Sequence, residues 1–445
     1  MSSALANVEQ PNIVLLVSDD LNYAGLSHTG GHVATPHIDS IFDEGVFFTD
    51  GYVTWSTCAP SRAGLMTGRS QGRFGYEINT GTIANSTANK YDVPKYELLL
   101  SELLKKEGYQ TISIGKWHLG ASEGFLPNDR GFDHWLGFKH VQFFWQKEIK
   151  HEEEFLHRNG QPVSFEGYST KVLTEEACQQ IQKNAESKTP FFLYYNPKNV
   201  HLPLTVPDEF IPEGGKVVDG MIAAMDFYVG EILNQLKESG VEEDTLVIFI
   251  NDNGGHKVTG SEKPFRGKKG SMNEGGLRVP FGMKWPKKIK PGSSYREIVS
   301  SLDVVPTVMA AAGGSLPSDR PYDGVDLLPY LNGEKTGAPH DFLIWRGDRG
   351  HAMRKGDYKL IWKTKTNLGG KATLLNFASR KTGGYAKPEL YDLSSDPAEK
   401  ENLASRSPEV VQQMIQYIDA YDAEMAKSQA IVMPPYKYYQ SNREK

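Results

Sequence analysis

Only two cysteines stand in 445 residues, Cys58 and Cys178. A scaffold stapled by several disulfides is excluded, so the fold has to rest on a buried core. No apolar run approaches the roughly 20 residues that cross a bilayer as a helix. Basic charge is not in excess either: 49 Lys and Arg stand against 55 Asp and Glu, for a net charge of -6. A nucleic-acid binder usually carries a basic footprint, and this chain lacks one overall. A few lysines and arginines converging in one cleft can still outweigh a weak global charge. There is no internal repeat, and the opening Met1-Ser2-Ser3-Ala4-Leu5-Ala6 has neither the basic nor the apolar stretch of a secretory signal.

What is present reads as an ordinary globular chain, 39% hydrophobic and 23% charged. Four apolar runs have the look of fully buried strands: Asn12 to Val17, Tyr109 to Ile114, Phe191 to Tyr195 and Leu246 to Ile250. Helical segments precede the last three, at Tyr96 to Glu107, Thr174 to Lys188 and Val217 to Glu238. Such alternation predicts a parallel sheet covered on both faces. Each run ends in polar residues: Ser18-Asp19-Asp20, then Gly115-Lys116-Trp117-His118, then Asn196 to His201, then Asn251-Asp252-Asn253. Open α/β sheets bind ligands beyond the carboxyl ends of their strands. Four such ends therefore converge on one site. Asp19, Asp20, Asp252 and Asn253 supply hard oxygen donors, which suit Ca²⁺ or Mg²⁺ better than zinc. Alternation along a strand end would put Lys116 and His118 on one side, with Trp117 turned into packing. After about residue 340, short segments such as Phe342 to Trp345 and Tyr358 to Trp362 predict antiparallel strands, and Pro408 to Lys427 an amphipathic helix. Cys178, in a helical pattern, reads as packed and inert.

The most specific stretch is Cys58-Ala59-Pro60-Ser61-Arg62, running on to Thr67-Gly68-Arg69. It resembles the signature of the formylglycine-dependent (type I) sulfatases of the alkaline phosphatase superfamily. Further similar elements are Gly115-Lys116-Trp117-His118-Leu119-Gly120, His201-Leu202-Pro203, Lys269 with Glu274-Gly275-Gly276-Leu277-Arg278-Val279-Pro280, and Asp396-Pro397. The resemblance implies a large, mixed, mostly parallel sheet sandwiched by helices over residues 1–340. It implies a smaller carboxyl-terminal α+β subdomain, with a small antiparallel sheet and helix, over 341–445. It also implies that Cys58 is oxidised by a formylglycine-generating enzyme to an aldehyde. Its hydrate attacks sulfur, forming a covalent sulfated residue.

In this reading Asp19, Asp20, Asp252 and Asn253 hold a cation, usually calcium, with residue 58 completing its sphere. Arg62 adds a fixed charge beside residue 58, and Lys116 meets sulfate oxygens. His118 takes the proton that lets sulfate leave, and His201 protonates the departing sugar oxygen. Lys269 is the family lysine by alignment from Glu274; Lys268 stands where a small residue is usual and could reach substrate instead. Trp145, Lys147 and His151 mix aromatic and basic character that suits a sulfated sugar, although ordinary loop packing would explain them too. The implied substrate is a sulfated oligosaccharide or polysaccharide, from an algal galactan such as carrageenan or from a glycosaminoglycan. The implied location is periplasmic or secreted, with a signal peptide missing from this sequence. Two other functions remain open at this point: a phosphonate monoester or phosphodiester hydrolase with the same nucleophile, and a sulfated-glycan binder without turnover.

Overall fold

The computed structural model describes residues 10–79, 92–139, 144–149, 155–347, 349–364 and 385–425. Its centre is a ten-stranded sheet. Five neighbouring strands run parallel, in the order Thr245–Asn251, Asn12–Ser18, Phe191–Asn196, Gln110–Lys116 and His134–Phe138. Shorter strands close both edges, with Phe281–Lys284 antiparallel to Thr245–Asn251 on one side and Leu156–Arg158 antiparallel to His134–Phe138 on the other. The fold is alkaline-phosphatase-like, as the sequence implied.

The first strand shows why its run is uniformly apolar. Ile13, Leu15 and Val17 point into one core and Val14 and Leu16 into another, all 1% exposed or less. One core takes the helix Cys58–Thr67 and the helix Val304–Ala311; the other takes Ser169–Ser187 and Val217–Glu238. Both faces are dry, so alternation of polar and apolar residues has no place in it.

Helix boundaries differ from the sequence reading: the helix expected from Thr174 already starts at Ser169, and the one expected to reach Lys427 ends at Glu424. The helix expected from Tyr96 starts only at Leu100, because the Glu102 carboxylate turns back to accept the Leu99 N–H at 2.8 Å and so caps the first turn there. Among the described residues no helix is long and apolar enough to cross a membrane.

A four-stranded antiparallel sheet follows, Leu343–Gly347, Gly350–Lys355, Tyr358–Lys363 and Glu389–Asp392. The helix Pro408–Glu424 lies on it through Val411, Met414 and Ile418, packed with Met353, Leu360 and Leu390. A buried ionic knot joins this sheet to the helix Glu274–Leu277 and to Tyr52. Glu274 accepts from Lys359 at 2.7 Å and from the Tyr52 hydroxyl at 2.7 Å, and lies 3.3 Å from Arg278. Burial opposes ionisation of Glu274, but Lys359 and then Arg278 outweigh it and draw the carboxyl down to about 2. Its contribution to stability is therefore complete above the ordinary value of 4.5 and is lost as pH falls toward 2. Replacing Lys359 with methionine takes the buried cation from Glu399, 3.2 Å away, and leaves Glu274 with Arg278 and Tyr52. A loss of about 3–5 kcal/mol is expected, read by urea unfolding at pH 7.

Candidate active site

The site forms where the parallel strands end. Loops there are laced together by backbone hydrogen bonds: Asp19 N–H to the Asn199 carbonyl at 2.9 Å, Val200 N–H to Asp19 at 2.7 Å, and Asp252 N–H to Ser18 at 3.1 Å. Asp20 has a left-handed backbone, φ 61. Consecutive side chains on a strand point opposite ways, and this turn lets Asp19 and Asp20 face the same cluster.

The helix Cys58–Thr67 runs into the cluster. All ten of its residues are buried, and it stops at Gly68, whose left-handed φ of 65 lets its N–H return to the Gly64 carbonyl. Cys58 opens the helix, 1% exposed. Its sulfur lies 3.2 Å from the Lys269 ammonium and 3.6 Å from Asp19 Oδ1. Burial, then the Asp252 charge, push the thiol far above its ordinary range. The encoded thiol is thus held neutral, in a state that is a poor nucleophile.

Three cations answer three carboxylates. Lys116 Nζ is 2.5 Å from Asp19 Oδ2, and Lys269 Nζ is 2.6 Å from Asp20 Oδ1. Arg62 donates from Nε to Asp252 at 2.9 Å and from Nη1 to Asn196 at 2.8 Å, with Nη2 at 3.6 Å from Asp19. Burial would raise Asp19, but Lys116, His201, Arg62 and Lys269 hold it well below the carboxylate range. Asp252 goes the other way, up to about 6, through burial and then the Asp19 charge. Lys269 stays protonated, since Asp20 outweighs its burial.

Ligand atoms of Asp19, Asp20, Cys58 and His201 all lie within 4.8 Å of one another. Asn253 sends Nδ2 to Asp20 at 2.8 Å, while its Oδ1 is buried and accepts from no donor. A buried carbonyl oxygen without a donor, on a side chain that touches a carboxylate cluster, is the environment a hard cation satisfies. The residues present fit a Ca²⁺ or Mg²⁺ ion, with Asp19, Asp20, Asn253 and residue 58 as its holders. Asp252 belongs to the same cluster but gives one of its oxygens to Arg62.

His201 stands 3.6 Å from Asp20, and burial is the main cause that pulls it down to about 4. His118 is buried just past the strand that ends at Lys116, with φ 61. The left-handed turn, rather than strict strand alternation, sets its direction, which corrects the sequence argument for pairing it with Lys116. Lys268 is exposed, next to Lys269 but outside the cluster. Trp145 and Lys147 form a separate pair, 5.8 Å from ammonium to ring centroid. Trp145 donates its ring N–H to Thr205 at 2.9 Å, four residues past His201. His151 lies outside the described residues.

Two neighbours went unassigned from sequence. Lys198 is buried, 5.0 Å from the Phe144 ring, and brought down to about 7 mainly by desolvation. Glu262 accepts from Asn22 Nδ2 at 2.8 Å, from Tyr23 N–H at 2.8 Å and from Gly255 N–H, so one carboxyl ties the loop after Asp20 to the loop after Asn253. Glycine is needed where these loops meet: a Cβ on Gly255 would fall 2.3 Å from the Asn22 side chain.

Comparison with known proteins finds sulfatases. Residues 11–315 match the sulfatase family model and residues 338–440 the C-terminal region of aryl-sulfatase. Human arylsulfatase A is 34% identical over 458 residues, spanning 94% of this chain and 88% of that protein. N-acetylgalactosamine-6-sulfatase of Mus musculus is 34% identical, spanning 81% of this chain and 73% of that one. The crystal structure of Ps i-CgsB superposes with a TM-score of 0.85 at 28% identity, covering 98% of this chain and 97% of that one, and the same protein has been seen with k-i-k-neocarrahexaose.

Proposed function

The chain belongs to the sulfatase family, and from that premise we propose that it removes sulfate from a sulfated carbohydrate, using an oxidised Cys58 as nucleophile. Hydrolysis of a sulfuric ester is the family's chemistry. The carbohydrate, the oxidation and the calcium ion are the further steps of the reading.

One observation carries it: the side chain of residue 58 opens a buried helix between Asp19 and Lys269. Conversion to formylglycine there supplies a hydrated aldehyde with two hydroxyl groups, one to take the sulfuryl group and one to expel it. A bound Ca²⁺ ion, held by Asp19, Asp20, Asn253 and residue 58, would supply positive charge for a sulfate oxygen and favour the ionised hydroxyl.

The chain's own groups do the rest. Lys116 and Lys269 keep their protons and place charge where a sulfate oxygen would lie. Arg62, locked onto Asp252 and Asn196, fixes the wall behind residue 58. His118 would accept a proton from the second hydroxyl. His201 would hand a proton to the leaving sugar oxygen; sulfate bound beside it would raise a proton affinity that burial now depresses. Trp145 and Lys147 would give a stacking face and a cation, tied through Thr205 to the segment that follows His201.

Support for the sugar comes from relatives named for N-acetylgalactosamine 6-sulfate and from the neocarrahexaose complex of a structural neighbour. The test is sulfate release from carrageenan and glycosaminoglycan oligosaccharides, alongside an aryl sulfate and an aryl phosphodiester. Faster turnover of the sulfates is expected. Faster phosphodiester cleavage would move the assignment to that chemistry, and tight glycan binding without release would reduce the protein to a lectin.

A further inference from the structure

The hairpin between Leu343–Gly347 and Gly350–Lys355 reaches the site from the carboxyl-terminal sheet. Its foot is fixed to the loop that precedes Cys58. Trp345 donates its ring N–H to the Val53 carbonyl at 2.7 Å. Buried Arg346 lies 3.0 Å from Glu77. Gly347 lies so close to Trp55 that a Cβ there would fall 2.2 Å from the ring. The strand end that leads to the tip therefore has a set position relative to the loop before residue 58.

Arg349 stands at that tip, exposed. A Cβ on Gly270 would lie 3.2 Å from Arg349 Cζ and Nη2, so the guanidinium rests on the bare backbone of Gly270, which has φ +79. Gly270 donates its N–H to Ser56 at 2.7 Å, and its neighbour Lys269 touches Cys58. Arg349 is thus one residue removed from the lysine at the reacting centre. Exposed Lys268 precedes that lysine, and exposed Lys257 lies on the neighbouring loop. Burial is the main cause that depresses His256, Asp20 opposes it, and Lys269, Lys257 and Lys268 add to it, so these three cations all act on one residue of the rim. On a chain with net charge -6, such a rim is a local reversal of sign.

We propose that Arg349, with Lys268, binds a second anionic group of the substrate, so that the preferred substrate is a sugar bearing at least two negative groups. The proposal rests on the carbohydrate reading above. The planar guanidinium suits bidentate capture of sulfate or carboxylate, and Lys268 adds an unspecific charge beside it. The sulfate to be cleaved sits on Lys116 and Lys269; the second group would lie outward, under the hairpin.

The experiment compares kcat/KM for a disulfated carrageenan disaccharide, its monosulfated counterpart and 4-nitrophenyl sulfate in the wild type, Arg349→Ala and Arg349→Lys. The wild type should prefer the disulfated sugar. Arg349→Ala should cut that preference about tenfold, the scale of one charge-assisted contact, and Arg349→Lys should keep part of it. The ratio between substrates is the readout, because a merely structural role would slow all three together. An unchanged ratio with normal sugar turnover overturns the second-anion subsite alone. Turnover of 4-nitrophenyl sulfate with release from neither sugar refutes the carbohydrate reading, and this proposal falls with it.

Discussion

Replacing Cys58 with alanine leaves a folded protein whose sulfate release falls by at least about 10⁴-fold, the scale of losing a nucleophile. The fold is expected to survive because alanine is smaller, helix-favouring and apolar, and the site's ion pairs do not need the sulfur. The buried thiol is neutral and sits among charges, so its removal costs only on the order of 1 kcal/mol. Serine is the sharper probe. Cys58→Ser puts one hydroxyl where the proposal needs two. It can accept a sulfuryl group but has no second hydroxyl to expel it, so at most one equivalent per chain is consumed. Sustained turnover by either variant sinks the nucleophile assignment. The companion measurement is the mass of the peptide that holds residue 58 in active protein. It should be lighter by the exchange of sulfur for oxygen and the loss of two hydrogens. Active protein with an intact thiol would contradict the proposal as directly as an active variant.

The contrast between thiol and hydroxyl follows from the site itself. Lys116 and Lys269 would favour an anion at residue 58, yet burial and Asp252 keep the sulfur protonated. Two lysines do not overcome burial together with the Asp252 and Asp19 charges. An oxygen nucleophile would meet a different balance if Asp19, Asp20 and Asn253 held a cation, whose charge would offset that of the carboxylates.

Much of this arrangement was legible in the chain. Strands with buried faces read as apolar runs, and the rule that ligands gather at carboxyl ends brought Asp19, Lys116, His201 and Asp252 together without any contact map. What the sequence could not convey was direction after a strand ends. Asp20 and His118 both take left-handed turns, so period-two alternation stops predicting sides there. The Arg62 guanidinium, one turn along from Cys58, spends its hydrogen bonds on Asp252 and Asn196, residues far away in sequence. Glu262 and Arg349 were invisible for the same reason. Each acts through a partner that only folding supplies, Gly255 and Asn22 for one and Gly270 for the other.

Calcium should raise the melting temperature of metal-stripped protein, and Asn253→Ala should lose most of that rise. A ligand that binds only the native state at 100 times its dissociation constant adds about 2.7 kcal/mol, which for a protein of this size is a shift of several degrees. The effect is expected because three ionised carboxylates and an unanswered amide oxygen share one buried volume. Asp252, drawn up to about 6 by burial and by Asp19, reports the repulsion that an added positive charge would relieve. Asn253→Ala removes the oxygen without a donor and the hydrogen bond that steadies Asp20. It leaves the strands and their lacing bonds alone, so the variant should fold. Its melting point without metal should stay within a few degrees of the parent, while its response to calcium shrinks. Chelation should abolish sulfate release in the parent, and calcium should restore it; magnesium, which demands tighter octahedral geometry, should restore less. A parent protein whose melting point ignores both ions would show that Lys116, Arg62 and Lys269 balance the cluster unaided, and the cation would have to be struck from the mechanism.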